Sequence, residues 1–127
     1  MFMKQVEQCM QELFLARMAE EKQILANRIG YRQRFFTNDC HWDSRVGTLE
    51  MIETEMIVSI EQSDLEVRVI TAYNAPFYKS GVQVHRRRYH LKTAGENWLI
   101  RLVENECLAC RGQGDESCIS CKGRHWT

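Results

Sequence analysis

The chain has little of what marks a disordered, secreted or membrane-spanning protein. Its 127 residues include one proline and seven glycines, too few for a low-complexity segment. No apolar run approaches the ~18 residues of a membrane helix, so no membrane is expected as a partner. An excess of one charge is also missing. Seventeen Lys and Arg against seventeen Asp and Glu leave a formal net charge of +0, which removes any global pull toward nucleic acid or an anionic surface. The first turns carry Lys4, Glu7, Glu12 and Arg17, so the sequence predicts no signal peptide and a cytoplasmic location. What is present is 44% hydrophobic and 27% charged residues, the composition of one globular domain with one core.

The hydrophobic period divides the chain. Residues 3–29 read as one helix, because Met3, Val6, Met10, Leu13, Phe14, Met18, Leu25 and Ile29 recur at three- and four-residue steps. Gly30 follows as a helix stop. Residues 31–47 have no clean period and read as a short irregular helix or turn, then a loop. From Thr48 the period becomes two. Ile52, Thr54, Met56, Val58 and Ile60 share one face of a first strand, opposite Glu53, Glu55, Ser59 and Glu61. A turn at Gln62-Ser63-Asp64 leads to a second strand with Leu65, Val67, Val69, Thr71 and Tyr73 on one face, ended by Asn74-Ala75-Pro76. A third strand is predicted from Val82 to Thr93, and Ala94-Gly95-Glu96 turns into a fourth, Trp98 to Glu104. Short connections favour an antiparallel meander. The expected fold is therefore α+β: a long N-terminal helix packed on a curved four-stranded antiparallel sheet, with residues 1–104 as the cone-shaped domain and 105–127 as a tail. The helix covers one sheet face. Ile57, Ile70 and Leu99 are expected on the other, which predicts a homo-oligomer, a dimer, built partly on the sheet.

Four of the six cysteines fall between residues 107 and 121. Cys107-x2-Cys110 and Cys118-x2-Cys121 each let two thiolates reach one ion, and Gly112 and Gly123 follow each pair where a tight turn is needed. Four sulfurs form the tetrahedral set of a closed structural Zn2+ site; iron in the same sulfur cage, a disulfide pair or free thiols are the alternatives, and His125 is the alternative ligand. Arg111, Lys122 and Arg124 offset the thiolate charge. With only Leu108, Ile119 and Trp126 as notable apolar side chains, this tail has no core of its own, and metal binding supplies its folding free energy, ~10 kcal/mol or more in small zinc modules. Cys9 reads as an apolar filler on the helix.

Two further groups of residues have chemistry. His85-Arg86-Arg87-Arg88-Tyr89-His90 is the most basic run, and strand alternation splits it between faces. Pairing with Glu53, Glu55, Glu61 or Glu66 is favoured over a nucleic-acid site. Cys40-His41-Trp42-Asp43 reads as a structural loop, since catalytic groups assemble in space more than in sequence.

The stretch from Glu20 to Glu104 resembles the nuclear transport factor two-like (cystatin-like cone) superfamily, and within it the small (beta) subunit of aromatic-ring-hydroxylating dioxygenases. The matching features are Asn27-Arg28-Ile29, Ser44-Arg45, Glu66-Val67-Arg68-Val69, Arg88-Tyr89-His90-Leu91 and Gly95-x-x-Trp98-Leu99-Ile100. The tail is similar to the C-x-x-C-x-G-x-G zinc repeats of DnaJ-type chaperones. The resemblance implies the cone architecture, oligomerisation and association with a larger enzyme subunit; the iron centres of those enzymes reside in that larger subunit. It also implies a pocket between helix and sheet, whose polar lining would come from Tyr31, His41, Asp43, Tyr73, His85 and Tyr89. The leading expectation is a non-catalytic, zinc-binding structural or assembly module. The alternatives are a small-molecule enzyme of isomerase or hydrolase type using the pocket, and a nucleic-acid or protein-binding module using the tail and Arg86 to Arg88.

Overall fold

In the computed structural model, the described residues are 2–22, 34–40, 49–63, 66–77, 81–95, 97–106 and 126. The first element is helix α1 (Phe2–Lys22). Its inward stripe is Val6, Met10, Leu13 and Phe14, as the period of 3.6 predicts, and these side chains are buried. Residues 23–29 of the expected helix lie outside the described residues. Arg34 and Phe35 are helical, after which Phe36 makes a parallel bridge to Ile100 and Thr37 N–H donates to the Ile100 carbonyl at 2.9 Å.

A short helix α2 (Leu49–Thr54) then stands where the alternating pattern predicts strand. Leu49-Glu-Met-Ile52 fits both periods, and in the helix Ile52 is buried. The Thr54 hydroxyl donates to the Glu50 carbonyl (2.7 Å), which closes the turn, and accepts the Asn74 N–H (2.8 Å).

Strands β1 (Met56–Gln62), β2 (Val67–Phe77), β3 (Gly81–Ala94) and β4 (Asn97–Asn105) make one antiparallel sheet in the order β1-β2-β3-β4. The α+β meander is therefore as expected, but β1 is rephased. Ile57 pairs with Thr71 and Ser59 with Ile70, so Val58 is an extra residue. A bulge of this kind breaks the alternation of faces. Ile57 and Ile60 both pack on the core, whereas Met56 and Val58 are exposed; the expectation that Ile57 faces away from the helix is overturned. Arg101 is a second extra residue, between Ile100↔Leu91 and Leu102↔His90.

Pro76 does not end β2, because Pro76 pairs in register with Val82 and Phe77 with Gly81. The β1 pairing stops at Ala72, so beyond that point one side of β2 has no ladder partner among the described residues, and a missing N–H is tolerated there. The β4 pairing stops at Arg87. Among the described residues, the β2–β3 ladder thus continues past its neighbours as a two-stranded arm. At the other end Gly95 takes φ +65°, the left-handed conformation that the β3–β4 turn needs and that glycine adopts without a Cβ clash.

The core lies between α1 and the inner sheet face: Leu13 and Met10 meet Val69, Tyr89, Leu91 and Ile100, all 0% exposed. Leu13→Ala should lower unfolding stability by about 2–5 kcal/mol in urea titration. Leu15→Ala, at a side chain 70% exposed, should change it by no more than ~0.5 kcal/mol.

Candidate functional site

The inner face is not uniformly apolar. Strand alternation puts Thr71 and Tyr73 of β2 and His85, Arg87 and Tyr89 of β3 on that face, with Thr71 opposite Arg87 and Tyr73 opposite His85. Arg17 comes down from α1, one turn beyond Leu13, and Glu55 sits at the join of α2 and β1. Glu55 and Arg17 have side chains 0% and 1% exposed. Glu55 Oε1 accepts from Arg17 Nη1 and from Arg87 Nη1 (2.8 Å), while Oε2 accepts from Thr71 Oγ1 (2.7 Å) and Tyr89 OH (2.5 Å). Four donors match the roughly four lone-pair positions of a carboxylate. The Arg87 guanidinium also stacks over the Tyr73 ring, 4.4 Å from its centre, and Tyr73 meets His85 edge-on at 5.8 Å.

Burial, together with the Glu55 charge beside it, pushes the Tyr89 phenol well above its ordinary range, against the opposing pull of Arg87 and Arg17. The hydroxyl is therefore held as a donor. Burial alone would weaken the Arg87 charge, but Tyr89, Glu55 and Tyr73 outweigh it and hold that guanidinium above its ordinary value.

Of the residues expected to line a pocket, Tyr73, His85 and Tyr89 are brought to one wall. Tyr31, His41 and Asp43 lie outside the described residues. Cys40 is buried in the core, with His41 to Asp43 beyond the described residues. Glu55, Arg17, Arg87 and Thr71 were not among the expected site residues. Arg17 had a signal: positions 6, 10, 13 and 17 form one helical stripe, so a charge at 17 needs a buried partner. Cys9 is the filler expected of it. Burial raises its thiol to about 11, and Sγ lies 3.7 Å from the Trp98 carbonyl.

The outer face carries a second array. His90 lies between two carboxylates: Nδ1 faces Glu66 Oε1 at 2.9 Å, and Nε2 faces Glu104 Oε1. Glu66 also receives Arg101 Nε (2.7 Å), and Glu104 receives Arg88 Nε (3.0 Å) and Nη2 (2.8 Å). The Arg88 guanidinium lies 4.7 Å above the Trp126 ring, and Trp126 makes an antiparallel bridge with Glu106. Arg86 approaches Glu106 at 4.0 Å and Arg68 approaches Glu61 at 3.8 Å. Each arginine of the basic run therefore faces a carboxylate. The expected pairing holds for Glu55, which is buried and takes Arg87, and for Glu66, which takes His90; Arg86 and Arg88 take Glu106 and Glu104 instead. Met56, Val58, Val84 and Leu102 are the exposed large apolar residues of the sheet. The cysteines Cys107, Cys110, Cys118 and Cys121 lie outside the described residues. No described helix is long and apolar enough to cross a membrane.

Two outcomes test this geometry. Glu55→Gln replaces an acceptor oxygen by an amide that cannot satisfy the guanidiniums, and should cost about 3–5 kcal/mol in chemical unfolding, far more than Glu53→Gln at the exposed surface. On the outer face, partial burial would raise the carboxyls of Glu66 and Glu104, but bonds from His90 and from Arg101 or Arg88 outweigh it and hold both below the ordinary 4.5. Groups depressed in the folded state stabilise it fully above their unfolded value and lose that contribution as pH falls through the lower folded value. Unfolding midpoints should therefore fall with pH below 4.5, and the decline should be shallower in the Glu66→Gln, Glu104→Gln double variant.

No protein-family model, no curated protein and no solved structure matches this chain.

Proposed function

We propose that the chain is a non-catalytic, oligomeric assembly module in which Cys107, Cys110, Cys118 and Cys121 hold one structural zinc ion. The observation that carries this reading is the Glu106–Trp126 bridge. It brings together the two ends of the segment that contains all four cysteines, next to the point where β4 ends. A segment with few apolar residues has little to offset its ordering entropy, and a metal clip supplies what a core would. Arg88 beneath the Trp126 ring supports the same reading, because Trp126 then has a seat on the sheet.

The inner cluster favours a structural role over catalysis. Glu55 is occupied by four donors and Tyr89 OH is one of them, so the groups that resemble an acid–base pair are committed to each other. Assembly is supported by the outer face, where Met56, Val58 and Val84 stand exposed among alternating charges of both signs. A second copy of this chain is the proposed occupant, and a larger enzyme subunit is the partner suggested by the likeness to dioxygenase small subunits. Salt-sensitive nucleic-acid binding is disfavoured because Arg86 and Arg88 face Glu106 and Glu104 and Arg87 points inward.

Elemental analysis of the full-length protein should find one zinc per chain, lost on Cys110→Ser, with the α+β core still folded by far-ultraviolet circular dichroism. Light scattering should give twice the chain mass, reduced toward the monomer by Val58→Lys. A metal-free, monomeric protein would overturn the reading; iron in place of zinc would keep the clip and correct the ion.

A further inference from the structure

We propose that β1 is a self-pairing edge: two copies of the chain join their β1 strands antiparallel about a two-fold axis at Ile60, and their two sheets become one. The proposal deepens the assembly-module reading, on which it rests for the second copy, and it does not depend on the metal.

The other borders of the sheet are engaged. Beside β4, Phe36 bridges Ile100, Thr37 N–H bonds the Ile100 carbonyl, and Trp126 bridges Glu106 just past the strand end. The stretch of β2 beyond Ala72 is met by α2, whose Thr54 hydroxyl takes the Asn74 N–H. β1 has a ladder on its β2 side and, among the described residues, none on the other. Natural edges are guarded by lysine, proline or a bulge. Met56–Gln62 holds no lysine and no proline. Its bulge at Val58 guards only the first half, because from Ser59 to Gln62 the register is unbroken. Met56 and Val58 are 63% and 48% exposed on this strand.

The backbone and the charges select the register. Ser63 N–H donates to the Glu66 carbonyl (3.0 Å), a bond directed into the β1–β2 hairpin. Antiparallel bonding alternates along a strand, so Glu61 also bonds toward β2, while Ile60 and Gln62 turn N–H and C=O to the open side. A two-fold axis at Ser59 would set exposed Val58 against Ile60, which packs on the core. At Glu61 it would set two carboxylates directly opposite each other, which is destabilising. At Gln62 it would run past the end of the strand. At Ile60 the strand meets its copy through two N–H···O=C bonds, and each Glu61 lies across from the partner's Ser59, a hydroxyl that can donate to a carboxylate. Glu61 has an oxygen to offer, since its own Arg68 comes no nearer than 3.8 Å. The two-fold uses the same edge of both copies, so pairing closes at two chains and does not propagate.

The test uses the full-length protein. Glu61 and the partner's Ser59 form a pair that exchanges no backbone bonds, with Cα atoms about 4.5 Å apart, within reach of a disulfide. Ser59→Cys chains mixed with Glu61→Cys chains and oxidised should give a covalent pair linked from residue 59 to residue 61 by mass spectrometry. Gln62→Pro removes an outward N–H that β2 does not use, a position where an edge strand tolerates proline. It should make the protein monomeric by light scattering while far-ultraviolet circular dichroism stays unchanged. Val84→Lys, on the outer face away from β1, should leave the dimer intact. A dimer that survives Gln62→Pro without the 59–61 link overturns edge pairing; if Val84→Lys then dissociates it, the outer face is the interface and the assembly reading stands. An unaltered chain that stays monomeric at every concentration overturns both. Should Gln62→Pro fail to fold, the presence or absence of the 59–61 link still decides.

Discussion

The carboxylate of Glu55 ties four segments of the chain together at one point. Arg17 arrives from α1, Thr71 from β2, Arg87 and Tyr89 from β3, and Glu55 itself marks the corner where α2 becomes β1. Hydrophobic contact between the Val6–Met10–Leu13 stripe and the sheet is non-directional and tolerates sliding. The ionic cluster does not, because each donor has one position from which it reaches its oxygen. A charge this deep is destabilising unless fully bonded, so helix azimuth, strand register and the β1 entry angle must all be correct at once. The apolar half of the core supplies driving force and the polar half supplies uniqueness.

The two faces of β3 divide the same kind of chemistry between different tasks. Odd positions 87 and 89 are sealed beneath the helix and bonded to Glu55. Even positions 88 and 90 meet Glu66 and Glu104 in surroundings that water reaches in part. One basic run thus serves a buried interior and a surface array of ion pairs. Alternation of side chains along the strand is the whole reason.

Much of the fold is legible in the residues. The stripe of α1 and the alternation of Val67, Val69, Thr71 and Tyr73 each point to the element and the face that the structure has. β1 was legible in existence but not in phase. Leu49 to Thr54 satisfies a helical and a strand period equally, and the extra residue at Val58 leaves no mark in composition. Pro76 reads as a strand end because its missing N–H matters only where a neighbour needs it, and that depends on how far β1 runs. The ionic cluster was hidden by convention: Glu55 falls on the face that alternation assigns to solvent, and Arg17 looks like a surface charge until its place in the stripe is counted. The paired C-x-x-C spacing is the most specific motif in the sequence, while the contact of Trp126 with Arg88 joins residues too distant in the chain for any pattern to connect.

The arm beyond Tyr73 and His85 changes the shape that a partner meets. Two-stranded ribbons twist more strongly than wider sheets. Among the described residues, the ladders to β1 and β4 stop short of this arm, and the sheet narrows there from four strands to two. A body lying flat against Ile70 meets only two paired strands of the described residues as it nears Val84. The width that the described strands offer a partner on this face is thus set by strand count as much as by side chains.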